Sequence, residues 1–184
     1  MFREIATGLF ALSVLAGAAI AGHGVSLIGR PVPEVMVEKW ALPEGTPAPR
    51  LLDYKGKVIA LLMFQVACPS CHSAGFPLFQ DLERQLGANS DLVTLYIQTP
   101  FELFMLNSFG AGQATVQKYG VKGLFAQDRL VPGSVTPATF SRFRADGTPW
   151  VVFVDRSGVV RFAGYPEPRP GMVEQVRKLL AEKR

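Results

Sequence analysis

The chain has 184 residues, 48% of them hydrophobic, which is enough for one domain of ordinary size with a real core. Its 19 Lys and Arg outweigh 15 Asp and Glu by a formal charge of +4. The cations (among them Arg50, Lys55, Lys57, Arg84, Lys118, Lys122, Arg129, Arg142 and Arg144) are scattered with no aromatic-interleaved block, so nucleic acid is set aside as a partner.

Residues 1–21 read as an export segment. Met1-Phe2-Arg3 opens a short positive region that Glu4 weakens, residues 5–20 carry no charge, and Ala19-Ile20-Ala21 offers an A-x-A cleavage site before Gly22. An uncleaved membrane anchor is the rival reading, because the run falls only somewhat short of the ~20 residues of a span. Both readings make the protein exported, periplasmic or anchored facing the periplasm, an oxidising compartment. Nothing after this leader is long and apolar enough to cross a bilayer.

Residues 22–49, rich in Pro and Gly, form a linker and an irregular lead-in, with one edge strand expected around Val35-Met36-Val37. The domain proper is read as residues 50–184. Residues 51–57 are a turn feeding Val58-Ile59-Ala60-Leu61-Leu62-Met63-Phe64, an unbroken apolar run of the kind buried on both faces of a sheet. Cys68-Pro69-Ser70-Cys71-His72 follows and holds both cysteines of the chain. That pentapeptide admits three readings: a redox dithiol, half of a zinc site, or a haem attachment sequence ending in His72. Leu78, Leu82 and Leu86 recur at i, i+4, i+8 with Phe79 beside them, which predicts a helix that Gly87 stops.

At a strand-to-helix junction Cys68 lies at the helix start, where unpaired N–H groups and the helix dipole favour a thiolate. Pro69 suits the first turn because it has no N–H to leave unsatisfied. Cys68 is therefore the expected nucleophile, and Cys71, one turn further in and more buried, the residue that resolves a mixed disulfide. A purely structural bridge is the weaker reading, since so short a loop removes little unfolded-state entropy. His72 is the nearest ionisable group in sequence and a candidate for tuning the thiol, against the plain reading of a surface histidine. Zinc has little support, with His23 at the leader boundary and no third cysteine. No metal or cofactor is expected.

Leu92-Val93-Thr94-Leu95-Tyr96-Ile97 reads as a second core strand, so strand, helix and strand imply a right-handed parallel crossover. Two short helices are expected in residues 101–120, the first broken near Gly110 and Gly112. Residues 121–146 show little periodicity and predict loops and short strands. Trp150-Val151-Val152-Phe153-Val154 and Val159-Val160-Arg161-Phe162-Ala163 flank a turn and predict a hairpin. Met172, Val173, Val176, Leu179 and Leu180 give a last helix its apolar stripe.

The order strand, Cys-x-x-Cys helix, strand, helix, Thr-Pro, hairpin, helix resembles the thioredoxin superfamily over residues 29–180. It is most similar to the extracytoplasmic redoxins of the TlpA-like and AhpC/TSA-like kinds. Tyr54-Lys55-Gly56-Lys57-Val58, Phe64 through His72, Gly147-Thr148-Pro149-Trp150 and Val154-Asp155-Arg156-Ser157-Gly158-Val159 carry the likeness. The resemblance implies an α/β fold, a three-layer sandwich with a central mixed β-sheet and flanking helices. It implies a thiol–disulfide oxidoreductase acting on thiol- or disulfide-bearing proteins through Cys68 and Cys71. It also implies a cis Thr148-Pro149 bond beside the dithiol, leaving the Thr148 backbone as a platform for a substrate strand.

Several positions depart from the family pattern and bear on the reduction potential. Leu62 and Ala74 are apolar where many relatives carry a buried acid, Ala67 replaces a frequent tryptophan, and Pro77 sits one place later than the usual helix proline. Gln65, Val66 and Ala67 stand where typical peroxiredoxins need a threonine, so peroxidase action lacks support. The alternative function is a thioredoxin-fold binding module, or covalent haem attachment at the Cys-x-x-Cys-His motif, without redox turnover.

Overall fold

A computed structural model describes residues 26–182, and the predicted leader of residues 1–21 lies outside them. Six strands form one mixed sheet: β1 (Val37–Trp40), β2 (Val58–Phe64), β3 (Leu92–Gln98), β4 (Leu124–Asp128), β5 (Trp150–Val154) and β6 (Val160–Gly164), in the order β1-β4-β3-β2-β5-β6. β2, β3 and β4 are parallel, while β1, β5 and β6 run antiparallel to their neighbours. The α-helices of the described residues are α1 (Phe76–Leu86), α2 (Phe109–Lys118), α3 (Ala138–Arg142) and α4 (Arg169–Ala181). Among the described residues no helix is long and apolar enough to cross a membrane.

The expected sandwich follows from β2, which is buried along its whole length. Its alternate residues feed two cores, because successive side chains of a strand point to opposite faces. Val58, Ala60, Leu62 and Phe64 meet α1, α2 and α4 through Phe76, Leu82, Val116, Met172 and Val176. Ile59, Leu61 and Met63 meet Phe140 of α3, Phe143 and the lead-in residues Leu27, Val32 and Val35 on the other face. The predicted hairpin forms as β5 and β6. Asp155 accepts from the N–H groups of Ser157 and Val159 at 2.8 and 3.0 Å, and Gly158 takes the left-handed φ of 81° that the turn requires.

Three expectations are corrected. The edge strand begins at Val37 rather than centring on residues 35–37, since Val35 packs into the second core before β1 pairs with β4. Instead of two helices broken at glycine, residues 101–120 form a 3₁₀ turn (Phe104–Leu106) and a continuous α2 capped by the Ser108 hydroxyl. Gly112 sits within the helix, and a Cβ there would run into the Gln98 amide and the Phe125 ring, so close packing rather than a break accounts for the glycine. Residues 121–146, read as surface loops and short strands, contribute a full parallel strand of the central sheet, β4, and the short helix α3.

Pro77 has a structural counterpart. Between Cys71 and Gly75 the helix widens into a π turn in which the Phe76 N–H donates to the Cys71 carbonyl. That turn absorbs one extra residue and places Pro77 in the first turn of α1, where an N–H is not needed.

Candidate active site

Because β2, β3 and β4 are parallel, their C-terminal ends share one edge of the sheet, and the segment leaving β2 carries the cysteines there. Gln65 to Ala67 form a turn closed by the Cys68 N–H to the Gln65 carbonyl at 3.3 Å, and helical backbone begins at Pro69. Cys68 and Cys71 are joined in a disulfide with Cα atoms 5.3 Å apart. Their environments differ. Cys68 is half-buried, whereas Cys71 is wholly inside the core. The Cys71 N–H donates to the Cys68 sulfur at 3.1 Å, a contact that in the reduced protein favours a thiolate there.

Pro149 faces this dithiol. The Thr148-Pro149 bond is cis, and the Thr148 carbonyl oxygen lies 3.4 Å from the Cys68 sulfur. The Ser70 hydroxyl donates to the same carbonyl at 3.3 Å and sits 3.4 Å from that sulfur. Gly75 makes the approach possible: a Cβ there would lie 2.9 Å from the Pro149 Cβ and 3.2 Å from Leu62 Cδ1. The sequence-predicted set Cys68, Cys71, Thr148 and Pro149 is thus brought together at one edge of the sheet.

His72 is adjacent in sequence, but its ring is committed elsewhere. Nε2 contacts the Val66 carbonyl at 2.7 Å and Nδ1 the Tyr119 hydroxyl at 2.8 Å. A carbonyl only accepts, so Nε2 holds a proton, and in the neutral ring Nδ1 accepts from Tyr119. The ring stacks on Tyr119 at 5.7 Å between centroids, and Tyr119 lies on Phe76 at 4.3 Å with planes 3° apart. His72 therefore ties the turn before Cys68 to the end of α2. These contacts engage both nitrogens that haem ligation would use.

Sequence reasoning missed a buried amide layer beneath the dithiol. Gln65 accepts from the Thr148 hydroxyl at 3.2 Å and donates to the Glu102 carbonyl at 3.4 Å. Asn107 accepts from the Val66 N–H at 2.8 Å and donates to the carbonyls of Glu102 and Leu103 at 3.1 and 3.2 Å. One lone asparagine after an apolar stretch gives no local signal of this role, which spans 41 residues of sequence. Leu62 is fully buried and Ala74 partly so, and both positions are apolar. A buried carboxylate at this edge, Asp128 at the end of β4, accepts from the Thr99 hydroxyl and from the N–H groups of Thr139 and Phe140 at 2.8–2.9 Å. Burial pushes its pKa up in spite of those donors. Among the described residues no group of three or more His, Cys, Asp or Glu is placed to hold a metal ion.

A disulfide that opens the helix leaving the central strand, faced across the cleft by a Thr-Pro bond, is the thioredoxin arrangement. Solved structures agree. The chain is similar to a thiol-disulfide isomerase from Corynebacterium glutamicum, with 27% identity and a TM-score of 0.73 over 83% of this chain and 97% of that one. A thioredoxin-like superfamily protein gives 24% identity and a TM-score of 0.74 over the same shares. A secreted disulfide oxidoreductase of Mycobacterium tuberculosis gives 21% and 0.53, over 69% of this chain and 85% of that one. No protein-family model matches the chain, and no curated protein matches it in sequence. The chain has the thioredoxin-like fold, and its Cys68–Cys71 disulfide together with the likeness to a thiol-disulfide isomerase makes its enzyme class that of the thiol–disulfide oxidoreductases.

Proposed function

We propose that the protein exchanges disulfides with thiol- or disulfide-bearing partner proteins outside the cytoplasm, with Cys68 as nucleophile and Cys71 as resolving residue. The observation that carries this is the asymmetry of the pair: Cys68 is half-buried beside the Thr148 carbonyl, whereas Cys71 is wholly buried. In the reductive direction the Cys68 thiolate attacks a partner disulfide. One partner sulfur leaves as a thiolate and takes up a proton, and a mixed disulfide remains. Cys71, losing its proton, then attacks the Cys68 sulfur, and the second partner sulfur leaves as a thiol. Two electrons pass to the partner, and the Cys68–Cys71 disulfide forms. The oxidative direction is the reverse, and the reduction potentials of the two couples decide between them.

Thr148 and Pro149 serve as the substrate platform, the Thr148 backbone lying where a partner strand would run. His72 acts as a positioning residue for the turn that presents Cys68. The predicted leader of residues 1–21 and the secreted Mycobacterium relative support an exported protein, either released or tethered by that leader.

Cys68→Ser should abolish disulfide reduction, and Cys71→Ser should accumulate mixed disulfides resolvable by gel and mass spectrometry. Iodoacetamide at neutral pH should label Cys68 of the reduced protein before Cys71. Faster labelling of Cys71 would reverse the roles, and a pair that reductant and oxidant fail to interconvert would reduce the bridge to a structural one.

A further inference from the structure

Exposed apolar side chains are concentrated at the edge of the sheet that carries the dithiol. Ten large hydrophobic residues are exposed among the described residues, and eight of them (Leu103, Phe104, Met105, Leu106, Leu130, Val131, Val135 and Tyr165) lie on the loops that follow β3, β4 and β6. The strand directions put those three loops at the edge where β2 ends in the Cys68 segment. Residues 103–106 are the densest part, with exposures of 56, 45, 94 and 54%.

This turn is built rather than loose. Leu103 takes a left-handed φ of 47°, which is unfavourable for a side chain of its kind. Asn107 holds the Glu102 and Leu103 carbonyls, and the Leu106 N–H closes the turn on Leu103 at 2.8 Å. Folding alone supplies no reason to present four large apolar side chains to water from a constrained backbone.

The turn is also continuous with the exchange platform. The single Gln65 side-chain amide touches both the Thr148 hydroxyl and the Glu102 carbonyl. A mixed disulfide at Cys68 pins the partner's cysteine beside Thr148. At ~3.3 Å per extended residue, side chains about two or three positions from that cysteine then come over residues 103–106. On the far side of the platform Tyr165 packs edge-on against Trp150 at 5.3 Å.

We propose that residues 103–106 are the partner-recognition element of this site, taking an extended polypeptide segment whose cysteine is flanked by large apolar side chains. The proposal rests on the exchange reading above and names the substrate class of that same site. A lipid surface fits less well, because residues 99–108 hold one carboxylate, Glu102, and no cation to meet anionic headgroups.

The test uses the full-length reduced chain and two synthetic peptides, each a mixed disulfide of its one cysteine with glutathione. One peptide has Leu and Phe at two and three positions either side of the cysteine, and the other has Ser and Gln there. Cys68 attacks the peptide sulfur, glutathione leaves, Cys71 displaces the peptide, and the two thiols released balance the new disulfide. The wild type should favour the apolar peptide by about tenfold in kcat/KM, the scale expected from burying one large side chain. Phe104→Ser with Met105→Ser should bring the ratio of the two rates close to one, and Phe104→Leu with Met105→Leu should retain it. Equal wild-type rates, or a ratio unmoved by the serine pair, would overturn the proposal while leaving the exchange reading intact. Failure of the wild type to reduce either peptide would overturn both. A serine pair that loses sedimentation with phosphatidylglycerol vesicles but keeps the peptide ratio would reassign the turn to membrane contact.

Discussion

Replacing His72 with alanine separates two roles that its position after Cys71 leaves open. If the imidazole tunes the sulfur, its loss should move the Cys68 titration and leave stability nearly untouched. The geometry predicts the opposite. His72→Ala removes the hydrogen bonds to the Val66 carbonyl and the Tyr119 hydroxyl, worth about 1 kcal/mol each. It also removes a stacked contact with Tyr119, worth roughly 0.5 kcal/mol for a half-buried ring. Alanine returns about 0.5 kcal/mol in helix propensity. The net loss is about 2 kcal/mol, a fall of roughly 1 M in urea midpoint at an m-value near 2 kcal/mol/M, or about 4–8 °C in melting temperature. The assay pairs urea unfolding of the oxidised protein with a pH titration of thiolate absorbance in the reduced protein. The reduced thiol of Cys68 should titrate below the ~8.5 of a free cysteine in both proteins, because the helix start and the Cys71 N–H remain. A variant that loses less than about 0.5 kcal/mol while its thiolate midpoint climbs would refute the positioning role and restore direct tuning.

Gly75→Ala tests the seating of the helix on the platform. Propensity alone predicts a gain of about 1 kcal/mol, whereas overpacking against Pro149 and Leu62 predicts a loss of about 1–3 kcal/mol. Net destabilisation together with slower disulfide exchange is expected, and a more stable, fully active variant would show that the helix and Pro149 part freely. Asp128→Asn tests the buried carboxylate of β4. The raised pKa of Asp128 means that the folded state binds more protons than the unfolded state between the ordinary aspartate value and the higher folded one. Its contribution to stability is therefore fully present below the ordinary value and is lost as pH rises through the folded one. The asparagine variant should lack that slope in urea melts taken from pH 4 upwards, and should be less stable overall by about 1–3 kcal/mol because an amide NH₂ turns toward donors. Parallel pH curves for wild type and variant would count against the assignment.

Much of the fold is legible in the sequence because its signals are local. The seven apolar residues of β2, the i, i+4, i+8 leucines of α1, the Asp155–Gly158 turn and the stripe of α4 each satisfy one period or one turn rule within about a dozen residues. The cysteine spacing and the strand-to-helix junction mark the reactive pair, and Thr148-Pro149 marks its opposite wall. Tertiary structure alone decides the rest. β4 is obscured because it ends in Gln127 and Asp128, polar residues whose burial is eased by partners from elsewhere: the Asn107 carbonyl accepts from the Gln127 amide, and Thr99 and α3 donate to Asp128. α2 runs through Gly110 and Gly112, and the second glycine answers to packing, because Gln98 and Phe125 leave no room for a Cβ there. The partners of His72, Gln65 and Asn107 include residues 37 to 83 places away in the chain. Such contacts leave no periodic trace, because a hydrogen bond depends on where folding brings two groups and not on how far apart they stand in sequence. The Cys-x-x-Cys spacing of the pair is thus written locally at residues 68–71, while the shape of the surface proposed to meet a partner is set by long-range bonds among buried amides.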